Sequence, residues 1–224
     1  MKRPPTHPLH QFNRKGALLG AALIVSVLTV GCSTTTTMHY DLNAAKQSTA
    51  PVVLTSGSGS ALVSYRLVSL TVPEPLDVMT LMVRQPDNSL MVLSHDKWVA
   101  SLSQVTRQAM VNVLTHELGV PPLPEQMNAG VNATDVIDVV IDIQQFDMQP
   151  AKQTTLSALW QVHATQPTPT TITCYTTISE PVVRGVAALV ASQQTNVQQL
   201  GQQIAHTINT RAPVAGASCQ TTRS

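Results

Sequence analysis

Aromatic side chains are scarce in this 224-residue sequence, which has two Phe, two Trp and three Tyr. A core built from it must be filled by Val, Ile, Leu, Met and Ala. Charge is scarce too, at 11% of residues with a formal balance of +1. With no basic excess and no basic patch interleaved with aromatics, binding to a nucleic-acid backbone has little to rest on. A membrane-crossing helix needs roughly 20 apolar residues, and the uncharged run Gly16–Val30 has fifteen. The sequence has no G-x-S-x-G, no P-loop and no G-x-G-x-x-G, so no motif argues for catalysis.

What is present begins with that short run. Lys2, Arg3, Arg14 and Lys15 precede it with no acidic residue among them, and it ends in Leu28-Thr29-Val30-Gly31-Cys32. This is the layout of a bacterial lipoprotein signal. The peptidase of that class needs a small residue before the cut, supplied by Gly31, and a thiol after it, supplied by Cys32. Cys32 would then carry a diacylglycerol and an N-acyl chain, enough for stable membrane attachment. An ordinary signal peptide with an incidental cysteine and an uncleaved anchor are the alternatives. Ser33, rather than Asp, follows the cysteine. In a Gram-negative cell this sorts a lipoprotein to the periplasmic face of the outer membrane. Loss of residues 1–31 removes four basic residues and no acidic ones, taking the formal charge from +1 to −3.

Residues 32–60, rich in Ser, Thr, Ala and Gly, read as a lipidated tether with one short ordered stretch, Met38–Leu42, suited to an edge strand. Residues 61–208 form the expected domain and 209–224 a polar tail, disordered unless Cys219 is bridged. Ala61–Val72, Val78–Arg84 and Ser89–Leu93 read as strands separated by Pro73, Pro75 and Pro86-Asp87-Asn88. A helix follows, with Trp98, Leu102, Val105, Ala109 and Val113 at helical spacing, Asp96 as its cap and Gly119 as its stop. Ile137, Val139, Ile141 and Ile143 alternate with polar neighbours, as do Leu156–Val162 and Ile172–Ile178. Pro181 opens a last helix whose buried stripe runs Val183, Val186, Val190, Val197, Leu200, Ile204, Ile208. The order β-β-β-α-β-β-β-α predicts an α+β two-layer sandwich, an antiparallel or mixed sheet with both helices on one face. About 160 residues suffice for one such core.

Cys174 and Cys219 are the remaining cysteines. Exported proteins permit disulfides, and their spacing leaves a bridge and two free thiols equally open. His116-Glu117 starts like a zinc-binding helix, but position 120 is Val and the helix stops there, so no second ligand follows. Asp138 and Asp142 share a strand face roughly 13 Å apart by strand rise, which suits solvated charges better than a metal site. His95-Asp96 lacks an accompanying nucleophile motif and reads as an exposed His beside a capping Asp. Trp98 and Trp160 are either core residues or anchors at an interface.

Several segments together resemble the PqiC-type auxiliary lipoproteins of ABC-type and MCE-protein transport systems. They are His95-Asp96-Lys97-Trp98-Val99-Ala100-Ser101-Leu102, Pro73-Glu74-Pro75-Leu76-Asp77 with Val83-Arg84, Asp135 through Phe146-Asp147 with Leu156–Trp160, and Val186–Ala191 with Leu200–Ala205. The resemblance implies a non-enzymatic outer-membrane lipoprotein, with no cofactor beyond its acyl chains. Its partner would be an MCE-domain tunnel protein that spans the envelope and moves lipids, and its assembly a ring of identical copies. Pro73, Pro75, Leu76, Asp77 and Trp98 are the candidate partner contacts. An independent lipid- or ligand-binding periplasmic lipoprotein is the alternative reading.

Overall fold

The computed structural model describes residues 36–43, 63–124, 136–165 and 167–223. Cys32 and Ser33 lie outside these residues, as does Asp135. The elements run β1 (Met38–Tyr40), β2 (Ser64–Thr71), β3 (Thr80–Arg84), β4 (Leu90–Trp98), α1 (Leu102–Leu118), β5 (Val136–Gln149), β6 (Gln153–Ala164), β7 (Thr170–Pro181), α2 (Val186–Thr210) and β8 (Ser218–Arg223). The fold is α+β, with both helices packed against the larger sheet and against each other.

The strands divide between two sheets, of order β2-β5-β6-β7-β8 and β1-β4-β3. In the larger sheet β2 and β5 are parallel and the other pairs antiparallel. The alternation read in β5 has its physical counterpart: Ile137, Val139, Ile141 and Ile143 are at most 1% exposed. After Ile143 a bulge shifts the register, and Phe146, Asp147 and Met148 are buried in succession. Such a bulge re-aims side chains, which a strict period of two does not anticipate.

Gly119, in the left-handed conformation at φ 71°, ends α1 and donates its N–H to the Thr115 carbonyl. Its lack of a Cβ makes that conformation inexpensive. At Gly201 the need is different. A Cβ there would overlap Val113 Cγ1 of α1, so this glycine sets how closely the helices approach. Beneath α2, Gln193 donates to the carbonyls of Asp147 and Thr155 at 2.9 and 3.4 Å, and Asn196 donates to Thr154 Oγ1 at 3.0 Å. Both side chains are fully buried, so α2 is located by specific hydrogen bonds as well as by its apolar stripe.

Four expectations are corrected. Asp96 and Trp98 do not open α1. They lie on β4, opposite Met38 and Tyr40 of β1, and α1 starts at Leu102 with Ser101 at its N-cap position. The helical spacing from Trp98 to Leu102 is outweighed by strand pairing with a segment nearly 60 residues earlier, since Asp96 also accepts from the Tyr40 hydroxyl at 3.0 Å. Pro181 ends β7, pairing with Gln153, rather than opening a helix, and Val183 is 75% exposed instead of buried. The domain starts ahead of residue 61: Leu42 is in the core, and the Asp41 carbonyl accepts from Gln194 of α2 at 2.9 Å. The domain also extends past residue 208: with Cys219 bridged, the condition set for an ordered tail is met, and residues 218–223 form the polar edge strand β8. Cys174 and Cys219 occupy directly paired positions on β7 and β8 and are joined, with Cα atoms 4.1 Å apart. The bridge closes a loop of 45 residues that contains α2, a constraint on the unfolded chain of about 4 kcal/mol.

Candidate functional site

The Pro73–Asp77 loop follows β2 as one tight turn. Leu76 donates to the Pro73 carbonyl at 2.9 Å and Asp77 to that of Glu74 at 3.1 Å. Proline at the head of the turn presets its φ, which is why this segment reads as a turn from sequence. Asp77 then reaches α1. Its carboxylate accepts from the Ser103 backbone N–H and hydroxyl, both at 2.9 Å. Ser101 makes no side-chain capping bond of its own, so a residue 26 positions away satisfies the helix's first turn. Partial burial would raise the Asp77 pKa, but the hydrogen bonds from Ser103 and Ser101 outweigh it and hold the carboxyl below its usual range. Asp77 is therefore a structural clamp between the loop and α1.

Trp98, the other residue singled out next to this loop, is 2% exposed and meets Phe146 edge to face, with ring centroids 6.2 Å apart. It belongs to the core and offers no surface to a partner. Its backbone N–H donates to the Met79 carbonyl at 2.6 Å, and the Val99 N–H donates to the Tyr40 carbonyl at 2.9 Å. The residues flanking Trp98 thus form the surface that Trp98 itself does not. Val78, Met79 and Val99 are 36%, 47% and 50% exposed, and Pro75 is exposed beside them. A second apolar strip, Leu90, Met91 and Val92 at the start of β4, is 43–56% exposed. Three consecutive exposed apolar residues on a strand are uncommon without an interaction role. Sequence reasoning found the loop and missed Val78, Met79, Val99 and this strip, although the unbroken apolar run Leu90–Leu93 was its one visible signal.

The smaller sheet is fastened to the larger by Arg84 of β3, whose Nη2 lies 2.7 Å from Asp147 Oδ1 of β5. Asp147 is 6% exposed and also accepts from Gln145 at 2.6 Å. A buried carboxylate held by two donors is a fixed joint rather than a reactive group. The remaining acids considered from sequence are likewise engaged: Asp138 with Arg66 at 3.0 Å, Asp142 with Thr71 at 2.6 Å. His116 and Glu117 lie 3.6 Å apart at the exposed end of α1. Among the described residues no group of three or more His, Cys, Asp or Glu is placed to hold a metal ion, and no helix is long and apolar enough to cross a membrane.

The family model for the ABC-type transport auxiliary lipoprotein component matches residues 40–205. The chain belongs to this family. The matched span of the auxiliary lipoprotein runs from β1 through most of α2, so it includes the loop, the Asp77 clamp and both exposed apolar strips. Two crystal structures share its fold. One, described as an uncharacterized protein, has a TM-score of 0.60 at 15% identity, covering 77% of this chain and 99% of that one. The other is protein XCC0632 from Xanthomonas campestris, described under the family model DUF330, with a TM-score of 0.50 at 13% identity over 68% of this chain and 90% of its own. No curated protein matches the sequence.

Proposed function

We propose that this auxiliary lipoprotein is anchored through acylated Cys32 to the periplasmic face of the outer membrane, where it docks an envelope-spanning MCE-type tunnel protein and has no reaction of its own. The observation that carries the reading is the family match across residues 40–205. The lipoprotein signal ending at Cys32 and the Ser33 that follows it support the location. Docking falls to the exposed Pro75, Val78, Met79 and Val99, of which Val99 directly follows the buried Trp98 and Met79 accepts from the Trp98 N–H. An apolar surface on a stiff support loses little entropy when a partner covers it.

Crosslinking in native envelopes, followed by mass spectrometry of the captured proteins, tests this reading. Recovery of an MCE-domain protein in the outer-membrane fraction is expected. Its recovery should fall at least fivefold with Cys32→Ala and with Met79→Ser/Val99→Ser. Capture of no MCE-domain protein by a protein that is still lipidated would sink the proposal.

A further inference from the structure

The apolar strip at the start of β4 lies at the opposite end of the smaller sheet from Met79 and Val99. In the β3–β4 pairing Thr80 stands opposite Lys97 and Arg84 opposite Leu90, so Met79 and Val99 flank one end and the Pro86–Asn88 turn closes the other. The nine residues of β4 put roughly 30 Å between those ends. Leu90 and Val92 point to one face of the strand and Met91 to the other, yet all three are exposed. The hairpin therefore projects past the core with apolar groups on both sides. A flat protein partner covers one face of such a strand, whereas immersion in a lipid surface covers both.

The hairpin turn adjoins the β5–β6 turn, since Arg84, Pro86 and Asn88 line one recess with Pro150 and Lys152. The Lys152 carbonyl in turn accepts from the Val182 N–H at 3.2 Å, and the exposed Val183 and Arg184 follow. Asp87 in the hairpin turn is engaged by the Ser89 N–H and hydroxyl at 3.0 and 2.7 Å. This end of the domain thus sets exposed apolar side chains beside the exposed cations Lys152 and Arg184, a combination suited to a phospholipid surface.

The course of β1 brings the same end toward the anchor. β1 is parallel to β4, with Met38 opposite Asp96, so its N-terminus points toward the Leu90 end of β4. It is held there, because the Tyr40 hydroxyl donates to Asp96, Leu42 is in the core and the Asp41 carbonyl accepts from Gln194. Cys32 is only six residues ahead of Met38, and at no more than about 3.5 Å per residue that length of chain reaches roughly 20 Å. Leu90 is likewise six residues ahead of Asp96, the residue opposite Met38. A bilayer holding Cys32 is therefore confined to the same radius of Met38 that contains the strip.

We propose that Leu90, Met91 and Val92 insert into the headgroup region of the bilayer to which Cys32 is anchored, so that the domain stands on the membrane by this end with Met79 and Val99 turned away from it. This orientation rests on the reading of Cys32 as the acylated residue and needs no tunnel protein. Among the described residues no strand pairs with Leu90–Val92 on the β1 side of β4, and unpaired backbone groups are not tolerated in the hydrocarbon interior. Insertion is therefore shallow, with the backbone at the wet interface and the side chains reaching the acyl chains.

The test is site-directed spin labelling of the processed protein in vesicles of phosphatidylethanolamine and phosphatidylglycerol. Met91→Cys, Val92→Cys and Met79→Cys each supply one reactive thiol, since Cys174 and Cys219 are bridged and acylation consumes the thiol of Cys32. All three positions are exposed, so these substitutions leave the core intact. Power saturation compares collisions of the nitroxide with oxygen, which concentrates in lipid, and with a water-soluble nickel chelate. The oxygen-to-nickel ratio at 91 and 92 is expected to exceed that at 79 at least fivefold. Equal ratios at the three positions, in a protein whose mass includes the acyl chains, would overturn the orientation and leave the anchor standing. Shielding of 91 and 92 from both reagents would mean that a second copy covers the strip, and would overturn it too. A mature protein whose mass includes no acyl chain would overturn the anchor reading and the orientation together.

Discussion

The middle strand of the larger sheet, β6, buries residues on both of its faces between Thr154 and Ala158, whereas β4 of the smaller sheet leaves Leu90, Met91 and Val92 about half exposed. The larger sheet is covered by α2, tied by the Gln193 and Asn196 hydrogen bonds and closed at its edge by a disulfide. The smaller one, which includes the three-residue strand β1, is joined to the rest through the Arg84–Asp147 pair and the Trp98–Phe146 contact. Stability and surface chemistry are therefore carried by different parts of one domain. Substitutions in the first should change folding and spare recognition, and substitutions in the second should do the reverse.

The largest expected effect breaks the larger sheet. Trp160 is fully buried and donates Nε1–H to Thr176 Oγ1 at 3.0 Å, so Trp160→Ala should cost about 4 kcal/mol by the cavity left and the bond lost, read in a urea titration. Removal of the bridge as Cys174→Ala/Cys219→Ala should likewise cost about 4 kcal/mol. The same substitution should also speed amide hydrogen exchange in Gln220–Arg223, since β8 would then be held by its ladder alone. Exchange rates unchanged in β8 would show that the bridge is not what secures the edge.

Smaller effects sharpen the contrast. Asp77→Ala removes the carboxylate that satisfies the first turn of α1 and should cost about 1 kcal/mol at neutral pH. Because its pKa is lowered on folding, the contribution is present above the ordinary carboxylate value and is lost as pH falls through the lowered one. Wild type and Asp77→Ala should therefore converge in stability below about pH 4, and a constant gap down to acid pH would refute the clamp. Smallest of all, Met91→Ser and Val92→Ser should change stability by no more than about 0.5 kcal/mol, measurable by thermal melting. A loss of several kcal/mol would mean that the strip is part of the core.

Much of the larger sheet was legible in advance because a half-buried strand leaves a period of two in its own residues. Ile137 to Ile143 show it, and so do Ile172 to Ile178, whereas β6 is buried on both faces from Thr154 to Ala158. The smaller sheet was not legible in the same way. Its β4 continues to Trp98 because β1 lies alongside, and the spacing of Trp98 from Leu102 mimics a helix repeat. Of the candidate site, the turn at Pro73–Asp77 was visible from its prolines. That Asp77 would clamp α1 and that Trp98 would be covered was not. These outcomes rest on contacts across 26 and 48 residues, and no local pattern encodes which distant partner a side chain meets.

By itself the sequence determined the α+β class, the alternating strands of the larger sheet, the stop of α1 at Gly119 and a segment ending at Cys32 that has the form of a lipoprotein signal. Each depends on chemistry carried within a few consecutive residues. Tertiary structure alone decided between a bridge and two free thiols for Cys174 and Cys219, and it alone decided the division into two sheets. Those outcomes require segments far apart in the chain to be brought together, and it is burial of the shared core, a property of the whole domain, that brings them there.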